Sequence, residues 1–333
     1  MWDASRCDWC GICLERCHYS DYDRAEGSRQ IRLLSQGLEA GILKKCVTCC
    51  ACSEFCPQGA DPFDLIVGMM EKHRTFPVNP DMFTIFDHLR DIPSTITPGD
   101  PDKPALSLCV MEASLPQGML DSTLFKGLTI AKGGDYFCLI GHVHLGQTTP
   151  LAKHAAAFLD ALTALNRDIV FVHDDCYAMV HAKLKDFGLR APFGYQHIFE
   201  YLRNCLRDNR SRITPLDKAV AYQRPCASRY TPHKDVFLDE IFELIGVRRV
   251  ERRYDRQDAL CCSAAFLRVY PEQARAFQDR NVGDALTSGA QALITLCPMC
   301  DRALKRPCDA AALTKINIID LCRMAIGEIP ASL

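Results

Sequence analysis

Three observations predict a multidomain α+β protein: an all-helical N-terminal unit followed by two repeated α/β domains with parallel sheets. The chain of 333 residues exceeds the usual span of one core. Residues 1–75 combine helix-spaced apolar stripes with two cysteine runs. Beyond residue 105, short β-rich runs alternate with helical stretches, and the alternating pattern occurs twice.

In the first unit, "SRQIRLLSQGLEAGI" places Ile31, Leu34, Leu38 and Ile42 at helical spacing. "DPFDLIVGMMEKHR" offers Asp61 as a cap, Pro62 in the first turn and a stripe of Phe63, Ile66, Val67 and Met70. Residues 76–104 carry Pro77, Pro80, Pro93, Pro98, Pro101 and Pro104, a density that disfavours long regular elements and reads as a linker. After it, "DIVFVH" and "QALITL" read as strands, and "LAKHAAAFLDALTALN" and "PEQARAFQDRNVGDAL" as helices, the rhythm of parallel βα units. The series from "CVMEASLPQGMLDSTLFKGL" through "DYFCLIG" to "VFVHDDC" aligns with "CASRYTPHKDVFLDEIFELIG" through "DALCCSA" to "ITLCPMC". The expected domains are therefore 1–75, a linker at 76–104, and two copies at 105–210 and 211–333.

A net charge of −2 with dispersed arginines and lysines gives no argument for a nucleic-acid or anionic-membrane partner. "MWDASRCDWC" lacks the pattern of a secretory signal, and no apolar run reaches the ~18 residues of a transmembrane helix. The expectation is a soluble cytoplasmic chain, with attachment to a membrane subunit left open. In a reducing compartment, twenty cysteines point to metal binding rather than disulfides.

Nine of those cysteines lie in the first unit. Cys7, Cys10, Cys13 and Cys17 follow C-x2-C-x2-C-x3-C, and Cys46, Cys49, Cys52 and Cys56 repeat it, ending in Pro57. Three thiolates on one tight loop hold three corners of a 4Fe-4S cube, and the fourth comes from the other run. One cluster is thus expected on Cys7, Cys10, Cys13 and Cys56, the other on Cys46, Cys49, Cys52 and Cys17. Zinc fits less well, because it prefers separated C-x2-C pairs. Cys50 reads as a buried thiol, and His18 stands where a proline usually follows. Fully ligated cubes pass single electrons, so the unit reads as a wire.

The last copy sets Cys226, then Cys261 and Cys262, then Cys297 and Cys300, with thirty-four residues in each long interval. Five sulfurs at the carboxyl edge of a parallel sheet are too many for one tetrahedral ion. Adjacent thiolates can instead bridge or cap neighbouring irons of an opened cluster.

On these motifs nearly the whole chain resembles the cysteine-rich CCG-domain proteins: heterodisulfide reductase subunits and the iron-sulfur subunits of glycolate and lactate oxidases. The helical part is similar to the small ferredoxin-type subunit, fused to two CCG domains. The resemblance implies a noncubane 4Fe-4S cluster on Cys226, Cys261, Cys262, Cys297 and Cys300, beside which a disulfide is split. In this sequence the family's CCG is CCS; Ser263, with its Cβ, tolerates a left-handed turn less well than glycine.

Aligning the repeats sets Cys109 opposite Cys226, Cys138 opposite Cys261, Leu139 opposite Cys262, His173 opposite Cys297 and Cys176 opposite Cys300. The surviving Cys109, Cys138, His173 and Cys176 form a closed Cys3His set suited to structural zinc, with an eroded, metal-free site as the alternative. His142 and His144 lie close by in sequence as alternative ligands. No P-loop or G-x-G-x-x-G follows a strand, so no flavin or nucleotide is expected on this chain. "VRRVERRYDRQD" reads as a solvated face, with docking of an anion as the lesser reading.

The resemblance implies an oxidoreductase subunit that takes electrons from a flavoprotein partner, passes them through the two cubanes and delivers them at the noncubane site to a disulfide or related sulfur. The competing class is an electron conduit in a flavin-linked hydroxyacid or acyl-CoA oxidoreductase serving quinone or a membrane partner. A structural adaptor is the third.

Overall fold

A computed structural model of the chain describes residues 1–76 and 80–331. The first unit is helical as expected, with the helices Arg24–Ser35 and Pro62–His73 at its centre. Asp23 starts the first of these by accepting from the Glu26 N–H at 2.8 Å, satisfying one of the free donors of the first turn. Ile31, Leu34, Ile42, Phe63, Ile66, Val67 and Met70 are buried together. Two details differ from the sequence reading. The chain leaves the helix at Ser35 and turns at Gly37, so Leu38 lies 50% exposed. Asp61 makes no cap hydrogen bond; it takes a left-handed conformation, which turns its carboxylate away from the first-turn amides.

Gly11 and Gly27 mark the closest backbone approach in this unit. A Cβ on Gly11, whose φ is +77°, would stand 2.0 Å from the Arg24 carbonyl oxygen, and one on Gly27 would stand 2.7 Å from the Gly11 carbonyl oxygen. Only glycine lets the first cysteine loop lie against the helix Arg24–Ser35.

The proline-rich segment is more regular than its composition suggests. Pro77 lies outside the described residues, but a helix spans Pro80–His88 and strand β1 spans Thr95–Thr97. Proline at a helix's first position costs no hydrogen bond, and β1 pairs along only one edge, where a fully exposed strand is tolerated.

The remaining chain forms two sheets. The strands β2 (Ala105–Cys109), β3 (Thr129–Lys132), β4 (Ile169–Phe171) and β5 (Tyr195–His197) join β1 in the order β1-β3-β2-β4-β5, with β1 antiparallel and the rest parallel. The strands β6 (Lys218–Tyr222), β7 (Val247–Arg249), β8 (Ala292–Thr295) and β9 (Thr314–Asn317) form an all-parallel sheet in the order β7-β6-β8-β9. Setting β1 aside, the two orders are identical: first strand inside, second strand outermost, third and fourth on the other side. The internal repeat in the sequence is thus a repeat of topology. β2, β4 and β8 are buried along their whole length, as expected of parallel strands covered on both faces.

The copies meet through the helices Ile198–Asp208, Asp235–Leu244 and Ile318–Ala325, whose apolar faces share one core with β2, β4, β6 and β8. The helical unit packs on both. Glu71 accepts from the Thr148 N–H and hydroxyl at 2.8 and 2.6 Å, capping the helix Thr149–Thr163. Thr48 and His144 exchange hydrogen bonds of 2.9 and 3.0 Å, and Arg16 reaches Asp258 at 3.2 Å. Among the described residues no helix is long and apolar enough to cross a membrane.

Candidate metal centres

The two cysteine loops of the helical unit share a backbone device. In each, the residues flanking the middle cysteine take positive φ: Trp9 and Gly11 around Cys10, Thr48 and Cys50 around Cys49. Two left-handed residues coil the chain tightly enough for the three sulfurs of each loop to line one cavity. Cys50 therefore occupies the position of Gly11; it is 1% exposed and reads as a conformational residue rather than a fourth sulfur.

The sulfurs sort crosswise. Cys7, Cys10, Cys13 and Cys56 line one cavity with Trp2, Trp9 and Ile31, whereas Cys17, Cys46, Cys49 and Cys52 line another with Cys50, Leu14, Tyr19 and Ile42. Burial pushes the Cys13 thiol up to about 12, and Cys56, Cys10 and Cys7 add to the rise. Burial also pushes Cys46 well above its usual value, with Cys49 and Cys17 contributing. Buried thiols such as Cys13 and Cys46 suit a ligand that repays their deprotonation, which iron does. Amide N–H groups already point at sulfur: Thr48 N to Cys46 Sγ and Ala60 N to Cys56 Sγ, both at 3.4 Å. Two cysteine-lined cavities of this kind suit iron-sulfur groups.

Of the remaining cysteines, Cys205, Cys308 and Cys322 lie in helices, and the others end or follow strands of the two sheets. Cys109 ends β2 at a register irregularity and holds φ 56°, His173 and Cys176 follow β4, Cys226 follows β6, and Cys297 and Cys300 follow β8. None of the cysteines is in a disulfide, the vicinal pair included. Cys226 Sγ lies 3.2 Å from Cys261 Sγ. Hydrogen bonds from Cys226 and Cys262 hold Cys261 well below its usual pKa, while Cys262 also neighbours Cys300, and Cys300 neighbours Cys297. The five sulfurs therefore form one connected group. Ser263 adopts φ 55°, ψ 27°, the conformation that glycine would take, and its N–H donates to Cys261 Sγ at 3.2 Å. The serine accordingly keeps the tight loop, at a strain of about 1–2 kcal/mol.

In the first copy the sulfurs of Cys109, Cys138 and Cys176 lie within 4.8 Å of one another, all buried. His173 does not join that group. Its ring, 7% exposed, sits between Cys138 of its own copy and Cys297 of the other, and Asp175 lies 3.8 Å from its Nδ1. Burial works against its charge, yet Asp175, Cys138 and Cys297 together hold the imidazole well above its usual pKa. Neither ring nitrogen has a regular hydrogen-bond partner. Since the repeat sets His173 opposite Cys297, the two equivalent positions meet where the copies face each other. Spacing could not reveal this, because a repeat alignment is silent on how its copies are arranged.

The alternative ligands are otherwise engaged. His142 is fully buried against Phe86 and Phe137, with Nδ1 3.2 Å from Gln147 Oε1. His144 is tied to Thr48. In the arginine run, Arg249 and Arg256 pair with Asp239, Arg249 also with Asp255, and Arg252 donates to the Tyr222 carbonyl at 2.7 Å. Most of that charge is consumed within the fold.

Sulfur-rich loops at the carboxyl ends of parallel strands in two sheets form an arrangement suited to thiolate metal ligation. Residues 220–305 match the CCG family of cysteine-rich domains. Over 199 residues, 56% of the chain, the sequence is 28% identical to a subunit of the dihydromethanophenazine:CoB–CoM heterodisulfide reductase of Methanosarcina barkeri, and over 200 residues it is 28% identical to the corresponding protein of Methanosarcina acetivorans. The chain spans about half the length of these curated relatives, 47% of each. The chain thus carries a CCG domain and is similar to heterodisulfide reductase subunits. A solved structure of a hypothetical protein from Helicobacter pylori superposes with a TM-score of 0.59, covering 91% of this chain and 65% of that one at 15% identity, a likeness of fold.

Proposed function

We propose that the chain is an iron-sulfur oxidoreductase subunit that carries electrons from a redox partner to a sulfur substrate. The observation that carries this reading is the continuous line of sulfur sets, from Cys7/Cys10/Cys13/Cys56 through Cys46/Cys49/Cys52/Cys17 to Cys226/Cys261/Cys262/Cys297/Cys300. Cys13, Cys49, Cys52 and Cys261 are buried in one core, and Cys261 N–H donates to Tyr19 Oη, which lines the cavity of the second set. The reading divides the chain into a ferredoxin-type unit at 1–75 and two CCG copies at 105–210 and 211–333. It places two 4Fe-4S groups and one noncubane 4Fe-4S group on those sets, and zinc on Cys109, Cys138 and Cys176, whose sulfurs lie within 4.8 Å of one another, with His173 as the fourth ligand. The donor is a flavoprotein or another redox subunit, and the acceptor is a disulfide.

A group held by Cys226, Cys261, Cys262, Cys297 and Cys300 would supply, one at a time, the two electrons that with two protons convert a disulfide to two thiols. The chain's own contribution is to keep this site dry and held. Cys261 is fixed through both its N–H, donated to Tyr19 Oη at 2.7 Å, and its sulfur, which accepts from Ser263 N–H. Gln278 Nε2 donates to the Cys262 carbonyl at 2.9 Å, holding the other half of the vicinal pair.

A conduit with no sulfur substrate is the second reading. It is favoured by the loss of two of the five sulfur positions in the first copy, at Leu139 and His173. Iron and labile-sulfide analysis of anaerobically loaded protein tests the cluster assignment. About twelve irons per chain are expected in the native protein and about eight in Cys261→Ala/Cys262→Ala. Equal iron in both proteins would remove the third cluster from the account.

A further inference from the structure

The second four-sulfur set and the vicinal-cysteine set meet at a buried junction, and residues outside both cysteine patterns occupy it. Tyr19, two residues after Cys17, accepts from the Cys261 N–H and stands edge-on to Phe277. Arg229, three residues after Cys226, donates to Glu54 Oε2 at 2.6 Å, to the Gln257 carbonyl at 2.7 Å and to the Ala259 carbonyl at 2.6 Å. Glu54 lies on the short helix Ala51–Phe55 between Cys52 and Cys56. Arg224 donates to both Glu54 oxygens, at 2.9 and 2.7 Å, and reaches Asp235 at 3.0 Å. The side chains of Arg224, Arg229 and Glu54 are 2%, 3% and 6% exposed.

Two carboxylates and two guanidinium groups balance, so the network is neutral as a whole and polar within. As a mere fastener it is a costly choice, because apolar packing of similar volume would hold two units together without desolvating four charges. Its placement supplies another reason. Arg229 follows Cys226 by three residues, and its guanidinium is bonded on one side to Glu54, on the helix that carries Cys52, and on the other to the Ala259 carbonyl, two residues before Cys261. One fixed cation thus faces both sulfur sets, while its carbonyl contacts hold the segment that leads into Cys261.

We propose that Arg229, fixed by Glu54, is the positioning residue of this junction: it sets the second four-sulfur site against the vicinal-cysteine site and raises the reduction potentials of the clusters on both. The inference rests on the reading that both sets carry clusters. An electron added to a cluster is an added negative charge, and a nearby buried cation stabilises it in a medium where screening is weak. Glu54 acts with the opposite sign.

The test is a redox titration of the iron-loaded full chain, followed by electron paramagnetic resonance, for the native protein, Arg229→Gln, Arg229→Lys and Glu54→Gln. Arg229→Gln is expected to lower the midpoint potentials. Glu54→Gln, whose amide oxygen still accepts from both arginines, is expected to raise them, and Arg229→Lys to stay near the native values. A fastening role alone would not shift the two neutral variants in opposite directions. Shifts of the same sign, or none, in clusters that are fully loaded would overturn the inference while leaving the cluster assignment intact. Native protein without clusters on these sets would overturn that assignment and the inference with it. Should Arg229→Gln fail to fold, the rise in Glu54→Gln against an unmoved Arg229→Lys decides, and its absence counts against the proposal.

Discussion

Lys234→Met is expected to lower the unfolding free energy by about 3–5 kcal/mol, among the largest effects of any single substitution outside the cysteines. Lys234 and Asp174 are both fully buried, with Nζ 2.7 Å from Oδ1. Lys234 also donates to Ser228 Oγ at 2.7 Å, and Ser228 donates to Asp174 at 2.6 Å. Burial pushes the Asp174 carboxyl up, but Lys234, His197 and Ser228 more than offset it and hold it well below the usual carboxylate range. Methionine fills the volume of the lysine stem and removes the cation, leaving a carboxylate in the interior with one hydroxyl. The double variant Lys234→Met/Asp174→Asn removes both charges and is expected to recover much of the loss, since most of the cost is the stranded ion rather than the missing attraction. Urea unfolding of the three proteins measures it; a double variant as unstable as Lys234→Met would show that the pair matters for something other than charge compensation. Asp174 is adjacent to His173, and Ser228 lies two residues from Cys226. The network therefore ties the first copy's loop to the second's beneath the sulfur sites.

The second large effect concerns the crossing of the cysteine runs. Cys56→Ala is expected to cost the cluster on Cys7, Cys10 and Cys13, about four irons, and to spare the one on Cys46, Cys49 and Cys52. Cys17→Ala is expected to do the reverse. A strictly local rule, each run holding its own cluster, predicts the opposite pairing, so the two variants discriminate by which signal each one loses. The geometry favours the crossing: each loop coils its three sulfurs onto one cavity through its two left-handed residues, and the fourth cysteine of the run leaves that coil. Cys17 lines the cavity of the second set and Cys56 that of the first.

Much of this was legible in the sequence. Sulfur spacing is set by local backbone geometry, so the cysteine runs identified their loops, and Cys17 and Cys56 line the cavities that the crosswise rule expects. The repeat was legible because strand, loop and helix recur in step with Cys109 and Cys226. Other features depend on contacts remote in the chain and left no local trace. Glu54 and Arg224 are 170 residues apart, and in sequence each looks like an ordinary surface charge. His173 aligned with Cys297 could be assigned to its own copy, but its position between copies follows from how two sheets pack. Ser263 looked unfavourable because a side chain resists the left-handed region; the loop takes that conformation nonetheless, with the serine N–H bonded to Cys261 Sγ. The helix Pro80–His88 was hidden by a proline count that ignored position, since proline at a helix start is no obstacle.

The central claim is that the vicinal-cysteine site receives electrons and presents them to a sulfur substrate. Its most direct measurement is electron paramagnetic resonance of the reduced, iron-loaded chain before and after addition of small and protein-borne disulfides, with Cys261→Ala/Cys262→Ala as the control. The account predicts a disulfide-dependent change in the signal of the third cluster that is absent from the control. A native spectrum unmoved by any disulfide, with all three clusters present, would contradict it and leave the chain as an electron conduit.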